Sequence, residues 1–221
     1  MKQLVTVTLA ASVFMFGFTS CNDNEKKEAN NEAQEVAEAS NMATSYMVDA
    51  SASEITWKGS KPTGTHNGTI EVAKGEVFVN DGELEAGNFV IDMSSIVVLD
   101  LEGKSKQNLE SHLKGTVEGK EGDFFNINKY PTANFELTGV EMVNGTSMIN
   151  GNLTIKEKTN NISFPAMIKM QGDQLMIQSE TFTLDRTKWD VNYGSKSIFD
   201  NLGDSFVDDE MVITINLTAT K

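Results

Sequence analysis

Few residues of this chain have the types and spacing that catalysis or metal binding requires. The two histidines, His66 and His112, have no second ligand nearby in the sequence, and the single cysteine, Cys21, belongs to no metal-binding spacing. The chain has no glycine-rich phosphate loop and no serine in a nucleophile-elbow motif. Its carboxylates are numerous but scattered, as on a solvated acidic surface. The sequence therefore predicts a protein that is not an enzyme and holds no metal.

The charge of the chain excludes one large class of partners. The formal net charge is -14. A chain this acidic does not bind nucleic acid or anionic lipid headgroups through its general electrostatic field. We therefore expect no nucleic-acid partner, and any membrane contact has to come from something other than electrostatic attraction to anionic headgroups.

The N-terminus indicates export and lipid attachment. A short basic start is followed by an apolar stretch from Leu4 to Phe18 and by the small residue Ser20 before Cys21. This pattern is typical of a secretory signal peptide, here residues 1–20, and the stretch is short for a membrane span of roughly twenty residues. A cysteine at this point is typical of a bacterial lipoprotein, whose thiol is acylated.

We therefore expect Cys21 to be a lipid anchor carrying acyl chains such as palmitate. The expected location is the cell envelope, at the outer membrane, on its periplasmic face or at the cell surface. An ordinary signal peptide with an incidental thiol, or an uncleaved anchor, is the alternative.

The composition divides the rest of the chain into two parts. Asn, Glu, Lys, Ala and Gln dominate from Asn22 to about Met42, and such a stretch cannot offset its ordering entropy by burying apolar surface. The sequence predicts a flexible acidic tether over 21–44 and one folded domain over 45–221. With one cysteine there is no internal disulfide, so the domain must be stable from its own core.

Alternation of apolar and polar residues with a period of two predicts a mostly β domain. Asn80-Asp81-Gly82, Asn144-Gly145 and Asn150-Gly151 favour tight hairpin turns. The candidate strands are Glu54–Lys58, Gly68–Val72, Gly75–Val79, Gly87–Met93, Thr132–Gly139, Gly151–Lys156, Asn161–Met170, Gln174–Leu184 and Met211–Ala219.

Roughly eight strands joined by hairpins predict an antiparallel meander that closes into a barrel, because closure removes the exposed edges. Such a barrel is filled by its own side chains or holds one small ligand. Helical spacing of Leu109 and Leu113 predicts a short helix over Gly103 to Lys114, and an irregular loop runs from Asp185 to Phe206.

One segment goes beyond generic sheet patterning. His112-Leu113-Lys114, Asp123-Phe124-Phe125-Asn126 and Lys129-Tyr130-Pro131 closely resemble the signature of the YceI-like family of secreted lipid-binding proteins. Further landmarks follow in the family's order, and the resemblance covers nearly all of residues 46–220. They are Tyr46 to Trp57, Gly151 to Lys156, Phe164-Pro165-Ala166, Phe182 to Trp189 and Val207 to Ala219.

The resemblance implies an extended, lipocalin-like antiparallel β-barrel of about eight strands with one short helix. Its interior would hold a long apolar chain, such as a polyisoprenoid, an isoprenoid quinone tail or a fatty lipid, without catalytic residues or a cofactor. The chain departs from the family pattern at Asn126, where Asp is usual, at the insertion Gly115 to Gly122, and over Asn192–Asp204. These departures lie where a ligand headgroup would be expected.

Eight side chains are the candidates for ligand contact that the resemblance and the strand pattern together suggest. Phe124 and Phe125 either line the chamber or plug one barrel end. His112 meets a headgroup at the mouth or makes a hydrogen bond within the packing of the helix against its loop. Arg186 binds a polar head or pairs with Asp185 or Asp190. The expected apolar lining is Trp57, Phe135, Phe164 and Trp189.

Three hypotheses about function stay open at this point. The first is a lipid-anchored barrel that binds or carries an isoprenoid or similar lipid, with the membrane as partner through Cys21 and a homodimer possible. The second is a barrel filled by its own side chains that acts as an interaction or structural module of the cell envelope. The third is an enzyme acting on a bound lipid, with His112 and a carboxylate as acid and base.

Overall fold

The computed structural model describes residues 30–221, so the expected signal peptide and Cys21 lie outside the described residues. This part of the chain forms eleven strands and one α-helix. The elements are β1 (Asn30–Glu32), β2 (Thr44–Val48), β3 (Glu54–Lys61), β4 (Gly64–Asn80), β5 (Glu83–Val98), α1 (Gly103–Lys114), β6 (Thr132–Val143), β7 (Thr146–Ile155), β8 (Lys158–Gln171), β9 (Gln174–Ser179), β10 (Phe182–Asp185) and β11 (Glu210–Thr220).

Eight of these strands close into a ring. Neighbours from β3 to β9 along the chain pair antiparallel, and β11 closes the ring by pairing with both β9 and β3. Strand β2 pairs with β4 and β11, the same two strands that flank β3, and lies between them beyond the start of β3. Strand β10 pairs with β11. The prediction of an antiparallel barrel of about eight strands is confirmed, and α1 spans the predicted residues. No helix within residues 30–221 is long and apolar enough to cross a membrane.

Several predicted strand boundaries differ from the structure, and the turn predicted at Asn150-Gly151 is wrong because both residues lie inside β7 and pair with β6. Gly68–Val72 and Gly75–Val79 belong to the single long strand β4, whose register against β5 shifts between Val72 and Lys74. Such a bulge bends a strand without ending it. Conversely, the predicted strand Gln174–Leu184 is broken into β9 and β10. Local alternation is therefore a good guide to which residues face inward but not to where a strand bends.

The turn residues explain the short connections on one side of the ring. The β4–β5 turn places Asp81 and Gly82 at φ 50° and 86°, and the β6–β7 turn places Asn144 and Gly145 at φ 51° and 84°. Two consecutive residues with positive φ suit the twist of a two-residue hairpin, and these residue types tolerate it. The β8–β9 turn lies at the same end of the barrel, which we call the hairpin end.

The opposite end carries the longer connections, and we call it the helix end. Helix α1 follows β5 there and stops at Gly115, whose φ of 67° ends the helix in the left-handed conformation. Residues 186–209, which we call the rim loop, connect β10 to β11. The backbone N–H of Asp208 in this loop donates to the carbonyl of Ser60 at 2.9 Å, beside the β3–β4 turn.

Residues 30–43, which we call the strap, lie across the outer wall of the barrel. Strand β1 pairs with β8, with Asn30 opposite Ile162 and Glu32 opposite Asn160. Further along, the backbone N–H of Ala37 donates to the carbonyl of Leu137 at 2.9 Å. Of the tether predicted over 21–44, residues 30–43 therefore contact the barrel, and residues 21–29 lie outside the described residues.

Polar contacts hold the strap against the barrel. Its composition did not predict these contacts, because it indicates only how much apolar surface the segment can bury. Gln34 exchanges two hydrogen bonds with the side-chain amide of Asn152, and the backbone N–H of Ser40 donates to Oε2 of Glu85 at 2.8 Å. Backbone groups can make such bonds whatever side chains they carry. The prediction considered only the apolar surface that the segment could bury.

Candidate ligand-binding site

The barrel encloses an apolar cavity of about 370 Å³. Its wall is built by inward-facing residues of the ring strands, with α1 and the rim loop at one end. The aliphatic and aromatic wall includes Ile55, Ile70, Val72, Phe89, Ile91, Met93, Ile96, Ala133, Phe135, Leu137, Ile149, Leu153, Ile162, Phe164, Ile177, Phe182, Leu184, Ile213 and Leu217. This chamber has the size and chemistry of a site for an apolar chain.

The polar residues of the wall are concentrated at the helix end. They are Ser60, Lys61, His66, His112, Arg186, Tyr193 and Asp208. Lys61 and Tyr193 are also exposed at the molecular surface. The mouth of the cavity is therefore at the helix end, beside the β3–β4 turn and the rim loop, which the hydrogen bond from Asp208 to Ser60 joins.

A row of phenylalanine rings crosses the middle of the chamber. The ring centroids of Phe89 and Phe135 are 6.0 Å apart, and those of Phe135 and Phe164 are also 6.0 Å apart. Phe164 stacks on Phe182 with centroids 4.7 Å apart and planes inclined by 11°. The structure places the two candidates Phe135 and Phe164 in the wall, as expected.

Glycines give this row its space. A Cβ atom at Gly151 would lie 2.0 Å from Cζ of Phe135, and one at Gly75 would lie 2.6 Å from Cδ1 of Phe89. Any larger residue at these two positions must displace a ring or the strand that carries it. The positions of the rings are thus set by the strands facing them.

Phe124 and Phe125 line the cavity at its helix end and also cover it. Each is 8% exposed. The backbone N–H of Phe125 donates to the carbonyl of Leu113 at 3.1 Å, which holds this segment against α1. The two alternatives from the sequence, lining and plug, describe the same position in this barrel.

His112 lies in the wall and pairs with a carboxylate. Its Nε2 lies 2.7 Å from Oδ2 of Asp123. Its ring packs edge-on against Phe124 and Tyr193, with centroids 5.0 and 4.7 Å away. The pair ties α1 to the following loop, and the same side chain faces the mouth of the cavity.

The hydrogen-bond and ion-pair partners of Arg186 lie within the rim loop. Its guanidinium donates to the carbonyls of Val207 and Asp208, each at 3.0 Å, and to that of Val191. Asp209 Oδ1 lies 3.5 Å from the Arg186 nitrogen Nη2. Burial lowers the pKa of Arg186, while the nearby carboxylates, Asp209 foremost, oppose that shift.

Asp185 and Asp190, the carboxylates expected to pair with Arg186, also make contacts of their own, and the charge of Asp185 opposes the lowering of the Arg186 pKa as well. Asp185 accepts hydrogen bonds from the backbone N–H and hydroxyl of Thr187, at 2.9 and 2.7 Å. Asp190 pairs with Lys158 at 2.8 Å. The arginine organises the loop around it through Asp209 and three carbonyls, and the carbonyl bonds use three of its five N–H donors.

Trp189 is not part of the cavity wall, contrary to the expectation that it lines the chamber. Its side chain is fully buried, and its indole N–H donates to the carbonyl of Leu153 at 2.9 Å. It joins the start of the rim loop to β7 and belongs to the buried hydrophobic core. Trp57, by contrast, lies in the wall as expected.

Sequence reasoning named few of the wall residues, and two aromatic ones that it missed lie in predicted strands. Phe89 and Phe182 alternate with outward residues in predicted strands, so the period of two could have identified them. Tyr193 carries no such signal, because its place at the mouth depends on how the rim loop folds.

In the described part of the chain, no cluster of His, Cys, Asp or Glu could hold a metal ion.

These features define a closed antiparallel β-barrel with an internal apolar chamber and one polar mouth. The chain belongs to the YceI-like family, because the family's domain model matches residues 46–219.

Two solved structures share this fold. BcnA of Burkholderia cenocepacia superposes with a TM-score of 0.59 at 22% identity, covering 78% of this chain and 99% of BcnA. A polyisoprenoid binding domain from Saccharophagus degradans, implicated in plant cell wall breakdown, superposes with a TM-score of 0.55 at 13% identity. That match covers 79% of this chain and 97% of the domain.

A sequence relative is matched over a shorter stretch. The UPF0312 protein of Pseudomonas aeruginosa strain LESB58 is 41% identical over 54 residues. The match spans 24% of this chain and 28% of the length of that relative.

Proposed function

We propose that this barrel binds a long-chain apolar lipid, such as a polyisoprenoid or an isoprenoid quinone, inside its cavity. The observation that carries the proposal is the chamber of about 370 Å³ with its almost continuous apolar wall. The shared fold with a polyisoprenoid binding domain supports the same class of ligand.

The energetics of such a site need no catalytic or ionic contact. Each CH₂ group moved from water into an apolar wall contributes roughly 0.8 kcal/mol. A prenyl chain presents many such groups along its length. The alternative of a barrel filled by its own side chains is disfavoured, because the inward residues leave a chamber of this size.

Native mass spectrometry followed by organic extraction tests the proposal directly. The protein is purified from its own host, and we expect a long-chain apolar molecule in stoichiometric amount. Repeated recovery of protein without any such molecule, together with failure to take up a prenyl lipid from detergent, would contradict the proposal.

We further propose that the protein carries its ligand while anchored to a membrane through acylated Cys21. The leader and the position of this cysteine support the anchor. Labelling cells with a palmitate analogue should mark the wild-type protein, and the Cys21→Ser variant should stay unlabelled and leave the membrane fraction. Labelling that survives the substitution would exclude Cys21 as the anchor.

Binding rather than turnover is the proposed role of the site. Both histidines of the cavity wall pair with a carboxylate, His66 with Asp100 and His112 with Asp123, and the contact of His112 also joins α1 to its loop. We expect the His112→Ala variant to leave any bound prenyl lipid chemically unchanged, as the wild type does. Conversion of a prenyl lipid by the wild type and not by this variant would favour the enzymatic hypothesis instead.

A further inference from the structure

The rim loop carries a pair of exposed apolar side chains close to the mouth of the cavity. Ile198 and Phe199 are 51% and 48% exposed. They lie on a tight turn, in which the backbone N–H groups of both residues donate to the carbonyl of Ser195, at 3.3 and 2.9 Å. Neighbouring apolar side chains exposed at the edge of an apolar cavity are typical of an interaction site.

Hydrogen bonds hold this turn beside the mouth. Tyr193, at the start of the segment, belongs to the cavity wall and is exposed. The next residue, Gly194, accepts a hydrogen bond at 2.9 Å from the backbone N–H of Val207, which is another wall residue. The hydroxyl of Ser197 donates to Oδ2 of Asp209 at 2.7 Å. The apolar pair therefore has a defined position next to the opening of the chamber.

The charges around the pair indicate what kind of surface it fits. Lys196 and Asp200 flank it with one charge of each sign, and Nζ of Lys196 lies 4.4 Å from the centre of the Phe206 ring. The formal net charge of the whole chain is -14, which disfavours a surface of anionic headgroups. A locally neutral apolar turn fits the interface of a zwitterionic bilayer, where binding strength follows the apolar area that enters the lipid.

The position of the strap indicates which end of the barrel can reach a membrane. Asn30 pairs with Ile162 on β8. Ile162 lies four residues from Lys158 at the helix end and nine from Gln171 at the hairpin end, about 13 and 30 Å along the strand. The nine residues that precede Asn30, beginning with Cys21, span at most about 30 Å. An anchor at Cys21 therefore reaches the helix end with length to spare and the hairpin end only when almost fully extended.

We infer that the turn bearing Ile198 and Phe199 docks onto a zwitterionic lipid bilayer and places the mouth of the cavity against it. A lipid then passes between the bilayer and the chamber without crossing water. The hairpin end also exposes apolar side chains, Met142 among them, but the mouth lies at the helix end. This inference rests on the proposed function, including the anchor at Cys21, and adds to it the route by which the ligand enters.

Fluorescence quenching in vesicles tests the docking. The chain has one cysteine, so when Cys21 is acylated the Phe199→Cys substitution provides the only thiol that bimane can label. In phosphatidylcholine vesicles, replacing part of the lipid by brominated lipid should quench most of the emission at position 199. The control Met142→Cys, at the hairpin end, should keep its emission. Equal quenching at both positions, quenching at neither, or stronger quenching of the control would overturn the inference.

The wild-type protein shows whether the anchor itself is in place. It should take up no bimane, because its thiol is acylated. Uptake would contradict the proposed anchor, and the same comparison of Phe199→Cys with Met142→Cys in the Cys21→Ser background, with vesicles added, would then test the docking alone.

Transfer kinetics test what the docking does. The double variant Ile198→Ser, Phe199→Ser should take up labelled hexaprenol from phosphatidylcholine vesicles about tenfold more slowly than the wild type, because its turn no longer enters the interface. Uptake from cyclodextrin, which delivers single molecules through water, should keep the wild-type rate. The control Met142→Ser should match the wild type with both donors.

The two donors separate the possible failures. A wild-type rate from vesicles in the double variant, or an equal loss from both donors, would overturn the docking. Marked acceleration of wild-type uptake on adding anionic phosphatidylglycerol would overturn the zwitterionic surface. Failure of the wild type to take up hexaprenol from either donor would contradict the proposed function itself.

Discussion

The side-chain amide of Asn152 forms two hydrogen bonds with the backbone of Gln34. The Gln34 N–H donates to Oδ1 at 2.9 Å, and Nδ2 donates to the Gln34 carbonyl at 2.7 Å. Asn161 donates to the same Oδ1 at 3.1 Å, and both asparagines are buried. The Asn152 amide thus gives Gln34 the acceptor and the donor that a neighbouring strand would give, and it fixes the strap to the outer wall.

Replacing Asn152 by Ala should release the strap. The change removes both bonds to Gln34 and leaves buried groups without partners, so we expect the free energy of unfolding to fall by about 2 kcal/mol. Hydrogen exchange should speed up at the Gln34 amide more than in the ring strands. The matched control is Asn134→Ala at an exposed position of β6, which should change neither quantity. Unaltered exchange at Gln34 in the Asn152 variant would show that the strap does not depend on this amide.

Acid should loosen the strap at a second point. Hydrogen bonds from the Ser40 backbone N–H and from the Asn80 side chain lower the pKa of Glu85 below its ordinary value. A lowered pKa in the folded state means that the contact stabilises at neutral pH and is lost as the pH falls through that pKa, below the ordinary range of a glutamate. The Ser40 amide resonance should follow this titration. In the Glu85→Gln variant that dependence should disappear, and its persistence would assign the effect to another group.

Arg186 should be essential for the order of the rim loop. Its side chain is 2% exposed, and its loss leaves three carbonyls without their donor and Asp209 without its ion-pair partner. We expect Arg186→Met to lower the free energy of unfolding by about 3 kcal/mol. The control Lys188→Met, at an exposed neighbouring position, should cost little. Denaturant unfolding measures both, and equal small losses would refute the structural role of Arg186.

The contact between Gly151 and Phe135 should determine the shape of the chamber. In the Gly151→Ala variant the added methyl group meets the Phe135 ring, and overpacking of this kind typically costs about 1 to 3 kcal/mol. We also expect weaker uptake of a prenyl lipid, since the displaced ring changes the cavity. The control is Gly139→Ala, because no described atom lies within 4 Å of a Cβ at that position. Thermal unfolding and lipid uptake should separate the two variants, and identical behaviour would be evidence against the contact.

Filling the chamber should abolish lipid binding without removing the fold. Ala133 belongs to the cavity wall, and Asn134, the next residue of β6, faces outward and is exposed. We expect Ala133→Phe to occupy space that the lipid needs and Asn134→Phe to leave binding unchanged. The lipid content of each purified variant, measured by extraction and mass spectrometry, gives the answer. Full lipid content in the Ala133 variant would place the ligand elsewhere.

Most of the barrel could be predicted because its signals are local. Alternation of inward and outward residues marks the strands, and Asp81-Gly82 and Asn144-Gly145 mark the turns between them. The helix over Gly103–Lys114 was also readable from spacing alone. The strap was not, because it is held by bonds between residues such as Gln34 and Asn152, which lie 118 positions apart in the chain. Long-range polar contacts leave no periodic trace.

The sequence by itself determined that this chain is a β-barrel with apolar side chains on its inner face, since strand period and turn chemistry act over a few residues. It also contained the motifs that resemble its family. Only the tertiary structure decided the roles of individual site residues. It assigned Arg186 to the rim loop and Trp189 to β7, and it placed Tyr193 at the mouth of the cavity. Those roles depend on which strands and loops become neighbours when the ring closes, and closure brings together residues that are distant in the chain.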